Sequence, residues 1–205
     1  MLEKIRQRLR SRQKPAATYR PIARSKQDWD TQYAGLKWQR LRGIDELARY
    51  CVITGYCRHA HPMPALLDVG CGEGIWLENY RPNPYARYLG LDLSEEAVRV
   101  ASAQQDERTD FVAADALSFK SQDRFDVVIF NECLYYFDEP TALAVQYESL
   151  LNPGGLVIVS MHETERSRWI WGEIERQRTL LESTNVTNAK GTAWRVACWR
   201  TGVSE

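Results

Sequence analysis

Five short apolar runs punctuate the chain: ALLDVG (65–70), YLGLDL (88–93), DFVAAD (110–115), FDVVIFNE (125–132) and GLVIVSM (155–161). Helix-forming stretches follow most of them. GEGIWLENY follows the first. SEEAVRVASAQQ follows the second, with Ser94 as N-cap and Glu95 and Glu96 in its first turn. DEPTALAVQYESLL follows the fourth, with Pro140 in its opening turn. FDVVIFNE is too apolar for an amphipathic edge and reads as a strand buried on both faces. Beyond the NPGG turn and the fifth run, ERSRWIWGEIERQRTLL reads as a helix, and ESTNVTNAKGTAWRVACWR as two strands around Asn188–Gly191. Strands alternating with helices predict an α/β fold: a doubly wound, Rossmann-like, mostly parallel sheet with helices on both faces and an antiparallel last strand.

In such a sheet, ligands sit beyond the carboxyl ends of the strands at the topological switch point. Gly70, Cys71, Gly72, Glu73 and Gly74 lie there, after the first strand. A dinucleotide fingerprint is G-x-G-x-x-G, but here the third glycine comes one residue early and Ile75 holds its place. Asp68 in the strand and Glu73 in the turn would repel a pyrophosphate and attract a cation. S-adenosylmethionine (SAM) meets that demand, with a sulfonium, an α-ammonium and no phosphate. Asp92 ends the second strand, where a carboxylate can take both ribose hydroxyls. Asp115 ends the third run and is placed for the adenine amino group, with Ala116 offering a backbone N–H.

The set of motifs resembles the class I SAM-dependent methyltransferase family. LLDVGCGEG is similar to its first motif, YLGLDLSEEAV to its second, FVAADA to the adenine-binding motif, FDVVIFNECLYYF to the fourth-strand motif, and LNPGGLVIVS to the turn and fifth strand. The resemblance covers roughly residues 64–161 and implies a seven-stranded sheet with an antiparallel last strand. It implies SAM as methyl donor, S-adenosylhomocysteine (SAH) as product, and a donor site built from Asp68, Gly70, Cys71, Gly72, Asp92, Leu93, Asp115, Ala116 and Asn131. DWDTQYAGLKWQRL resembles the N-terminal lid of bacterial small-molecule methyltransferases, so Tyr33 and Trp38, with Trp29, are expected to cover SAM. An aromatic helix packed on the sheet edge is the other reading of these three.

The acceptor should face the end of the fourth strand. Glu132 is expected to bind the sulfonium end or take an acceptor proton, Tyr136 to position or act as a weak acid–base group, and His162 to be a rival base. Tyr136 stands where many small-molecule members of the family carry His, which puts a His base at that position in doubt. Tyr135 is expected to pack. Trp169 and Trp171 either wall the acceptor pocket or sit in the core. The fourth motif lacks the N/D-P-P-Y/F pattern of methylases acting on nucleobases or glutamine amides. NECLYYF and WRVACWR resemble a bacterial group that includes the nodulation N-methyltransferases, which act on an amino sugar. A saccharide, glycolipid or other polar small molecule is therefore the leading acceptor, on N or O. An RNA methyltransferase and a non-catalytic SAM-binding partner subunit stay open as alternatives, and a dehydrogenase comes last.

Charge and composition bound the rest. The 205 residues fit one domain. Residues 1–27 carry nine Lys or Arg against Glu3, a net +8, on a body of −8. That divides the chain into a basic arm (1–27) and one domain (28–205) with a helical lid (28–61). The arm, with Leu2, Ile5 and Leu9 at helical spacing, is a candidate weak contact to a membrane surface or anionic partner through residues 1–14. The other reading is a solvated tail. No DNA contact is expected. No run suits a membrane helix, and no apolar segment follows the basic start as in a secretory signal, so the expected location is cytoplasmic. Five scattered cysteines make no disulfide framework, and CRHAH (57–61) lacks the second ligand pair of a zinc site, so no metal is expected. In LRGIDELARYCVITGY a helix is predicted with Leu41, Ile44, Leu47 and Cys51 on its inner face, stopped before Pro62 and Pro64.

Overall fold

The computed structural model describes residues 25–200. The described chain runs α1 (Lys26–Ala34), a 3-10 turn (Gln39–Arg42), α2 (Ile44–Ala60), β1 (Ala65–Val69), α3 (Ile75–Tyr80), β2 (Arg87–Asp92), α4 (Glu95–Ala101), β3 (Thr109–Ala113) and β4 (Phe125–Asn131). It continues through α5 (Pro140–Tyr147), β5 (Leu151–His162), α6 (Glu165–Gln177), β6 (Glu182–Thr187) and β7 (Ala193–Arg200).

The strands form one seven-stranded sheet in the order β3-β2-β1-β4-β5-β7-β6. β1, β2, β3, β4 and β5 pair in parallel, and β7 runs antiparallel to both β5 and β6. The order reverses between β1 and β4, so the loops after these two strands open a crevice at the carboxyl edge. Val127, Val128, Ile129 and Phe130 of β4 are fully buried, as an all-apolar central strand requires. β5 begins earlier than predicted, at Leu151: NPGG lies within it, and pairing with β4 shifts register between Phe125 and Val127.

One helix face departs from expectation. α2 buries Glu46, Arg49, Tyr50, Ile53 and Cys57, whereas Ile44 is 79% exposed and Cys51 is exposed. Leu41 belongs to the preceding 3-10 turn. Apolar periodicity selected the wrong stripe because the first two turns of α2 face a polar crevice, so charged side chains point inward there. Trp171 is buried in the core, with Trp169 partly buried against it, and neither lines the crevice. No described helix is long and apolar enough to cross a membrane. The expected contact through residues 1–14 lies outside the described residues.

Candidate functional site

The crevice is a cavity of about 880 Å³. Its floor is the turn after β1. Gly70, Gly72 and Gly74 have φ of 74°, 56° and 74°, a region that L side chains rarely adopt. Space enforces the same choice: a Cβ on Gly70 would lie 2.7 Å from Cys133 Cβ, and one on Gly72 2.9 Å from the Tyr33 hydroxyl. The N–H groups of Gly70 and Cys71 donate to the Leu91 carbonyl (2.7 and 3.0 Å), fixing the turn to β2.

Three acids surround this floor and differ in what they touch. Asp92 accepts from the Gly72 N–H (2.8 Å) and the Ser94 N–H (2.9 Å), which orients its carboxylate at the cavity mouth. Burial raises its pKa above the ordinary carboxylate value and those N–H groups oppose the rise. Asp68 lies deeper. Tyr88 O–H donates to its Oδ2 (2.9 Å), Oδ1 has no partner, and burial pushes the carboxyl up to about 7. Glu73 lines the cavity, and its Oε2 accepts from Gln39 (2.7 Å) and Arg42 (2.8 Å), so its charge also locks the front segment onto the turn. Asp115 sits at the rim two residues past β3, with Oδ1 accepting from the Leu117 N–H (2.9 Å). Leu93 and Ala116 also line the cavity; the Ala116 carbonyl accepts from Tyr147.

The front segment roofs the cavity. Ser25 and Asp28 form a capping box at the start of α1. Asp30 accepts from the Ser94 hydroxyl (2.6 Å) and the Glu96 N–H (3.3 Å), tying α1 to the start of α4. Trp29, Tyr33 and Trp38 have ring centroids 6.0–6.4 Å apart, and Trp29 meets Tyr136 edge-on at 4.7 Å. All four rings line the cavity, so these aromatics form a cover and not a helix stacked on the sheet edge.

At the end of β4, Glu132 adopts φ 61°, in the left-handed region that a long side chain rarely occupies. Its Oε2 accepts from Tyr135 O–H (3.0 Å) and the His162 N–H (3.2 Å), and its Oε1 from Ser160 O–H (3.3 Å). Tyr135 therefore does more than pack. Burial raises the Glu132 pKa, opposed first by the charge of Arg49. Arg49, only 1% exposed, reaches in from α2: its Nε donates to Glu46 (3.0 Å), Nη1 to Asn131 Oδ1, and Nη2 to Tyr50 (3.1 Å). Asn131, at the end of β4, lines the cavity and is tied to α2 by this contact. The His162 ring lies 6.1 Å from that of Trp194. Neither of its ring nitrogens has a hydrogen-bond partner among the described residues.

Glu46, Arg49, Arg42 and Trp194 were not singled out from the sequence. The charges on α2 look like an ordinary solvated face, and Trp194 reaches the cavity only because β7 inserts antiparallel beside β5. The described residues contain no grouping of three or more His, Cys, Asp or Glu that could hold a metal ion.

Comparison with known proteins matches this geometry. The ubiquinone biosynthesis O-methyltransferase of Leptothrix cholodnii is 35% identical over 101 residues, 46% of this chain and 43% of that protein. The chain spans less than half the length of that relative. Among solved structures, the N-methyltransferase NodS from Bradyrhizobium japonicum WM9 in complex with SAH superimposes with a TM-score of 0.72 at 19% identity, covering 85% of this chain and 97% of that one. The 1,6-didemethyltoxoflavin-N1-methyltransferase of Burkholderia thailandensis gives a TM-score of 0.68 at 20% identity, covering 85% and 86%. These two establish a shared fold. The methyltransferase-domain family model matches residues 20–202, and with that span and this sheet order the chain belongs to the class I SAM-dependent methyltransferase family.

Proposed function

We propose that the protein transfers a methyl group from SAM to nitrogen or oxygen of a small polar metabolite, a saccharide or glycolipid being the leading class. The observation that carries the reading is Asp92, oriented by the N–H groups of Gly72 and Ser94 at the mouth of the cavity. A carboxylate so fixed suits a ribose diol. The donor half suits SAM in other respects. Gly70 and Gly72 leave no room for side chains, and Glu73, in the cavity lining, has a buried Oε1 without a partner. Among the described residues the arginines lining the cavity are Arg40 and Arg49, at the roof and the acceptor end, and Arg42 at the turn is held by Glu73 and Glu78.

SAM supplies an activated methyl group; the protein's part is alignment and exclusion of water. Tyr33 and Trp38 cover the donor, and Asp115, Ala116, Leu93 and Cys71 shape its adenosine and methionine ends. Glu132 orients the acceptor, Tyr136 sets its distance together with Trp29, and His162 takes the released proton. The partner is a small-molecule acceptor in the cytoplasm, with residues 1–14 available for an anionic surface.

Thermal unfolding with SAM, SAH or NAD tests the donor. A ligand at 100 times its Kd stabilises by about 2.7 kcal/mol, so SAM and SAH should raise the melting temperature visibly. Stabilisation by NAD alone would refute the proposal.

A further inference from the structure

We infer that the methyl acceptor is an amine, bound as its ammonium against Glu132 and methylated on nitrogen. The inference rests on the SAM-dependent reading above and goes beyond it by choosing the acceptor atom.

The two carboxylates of the acceptor end are paired unequally. Two carboxylates, Glu46 and Glu132, share one buried guanidinium, Arg49. That guanidinium donates directly to Glu46, and Arg40 adds a second contact to Glu46 at 3.4 Å. Glu132 receives only neutral donors, the Tyr135 and Ser160 hydroxyls and the His162 N–H. Arg49 acts on it through space, without a salt-bridge contact. A desolvated carboxylate fixed by neutral donors and lining a cavity attracts a cation. The strained backbone at Glu132 holds it there despite its conformational cost.

The walls favour the same ligand. Trp29 and Tyr136, outside the donor cover, meet edge-on at 4.7 Å and line the cavity, an aromatic surface suited to an organic cation. Glu132 already accepts three hydrogen bonds, which favour its charged form and fix its oxygens. An amine asks less of the site, because once deprotonated its lone pair is free to attack.

The bonds and charges balance. The bound ammonium gives one proton to the His162 imidazole, which passes it to solvent. The nitrogen lone pair then forms the new N–C bond while the donor's S–CH₃ bond breaks and its electron pair stays on sulfur. SAH leaves as a neutral thioether, and the positive charge resides on the methylated ammonium.

Matched pairs test the choice of atom: glucosamine against glucose, and benzylamine against benzyl alcohol, titrated calorimetrically into the full-length protein saturated with SAH. In at least one pair the amine should bind roughly tenfold tighter than the alcohol, about 1.4 kcal/mol. Glu132→Gln should reduce that preference to under about threefold, since it removes the charge and keeps the shape. Where Glu132→Gln fails to bind SAH and so has lost its fold, Glu132→Asn, which tolerates the left-handed backbone, replaces it. Equal or tighter binding of the alcohol in both pairs, no amine binding, or a preference that survives the charge removal overturns the inference. Failure of SAH itself to bind overturns the donor reading and this one together.

Discussion

Asp68 and Asp92 end neighbouring strands, yet their surroundings give them opposite tasks. Asp92 keeps two backbone donors and a face toward the cavity; Asp68 has one tyrosine and an unpartnered oxygen in the interior. Asp68 titrates near 7 in the folded chain and near 3.8 when unfolded, so the native state holds the extra proton between those values. Its contribution to stability is complete below pH 3.8 and is lost as pH rises toward 7. Asp68→Asn should therefore flatten the decline between pH 4 and 7 and leave the ligand-free protein more stable at pH 8, as read by chemical denaturation. Asp92→Ala removes a charged acceptor for two ribose hydroxyls, and SAM affinity should fall about 100-fold by calorimetry. The strand positions of both were legible, though Asp92 lines the cavity and Asp68 does not. Their differing burial was not, because Tyr88 and Ser94 enter only through packing.

α2 shows where periodicity stops being informative. Every buried apolar position of its second half, Ile53 and Cys57, faces the sheet, while its first half turns Glu46 and Arg49 toward the cavity. An apolar stripe drawn through Ile44 and Cys51 misses that switch. Ile53→Ala should cost about 2–4 kcal/mol, whereas Ile44→Ala should stay within roughly 0.5 kcal/mol, measured by urea unfolding. Comparable losses at the two sites would reverse the assigned face. The 3-10 turn before α2 carries its own load. Arg42 bridges Glu73, whose side chain is buried, and Glu78. Arg42→Ala leaves Glu73 with Gln39 alone and should destabilise by about 1–3 kcal/mol. Adding Glu73→Gln to that variant should recover much of the loss, which a double-mutant cycle reads directly.

At the level of the whole molecule, the alternating runs predicted the doubly wound sheet and its reversed final strand, and both are present. Local signals sufficed because each strand is bounded by its own turn chemistry and the sheet order follows from connection rules. The cavity floor was legible for the same reason: Gly70, Gly72 and Asp92 sit on consecutive elements and line the cavity. Arg49 and Trp194 were not, since they reach the end of β4 from α2 and β7, and only long-range packing brings them beside Glu132.

The inserted last strand has a consequence for how such a protein can change. The hairpin joining β6 to β7 meets α2 through Asn188, which donates to the Asp45 carbonyl (3.2 Å), and through the Lys190–Asp45 ion pair. Trp194 hangs just beyond it, at the acceptor end, while the donor floor is built entirely from residues before Ala116. One wall of the acceptor end is thus carried by a hairpin far along the chain from the glycine turn. Exchanging residues 187–194 for the hairpin of another family member should redirect acceptor preference with SAH affinity changed less than about threefold, as competition binding against a fixed panel will read. A short exchange at this hairpin alters one wall of the acceptor end and leaves the glycine turn untouched.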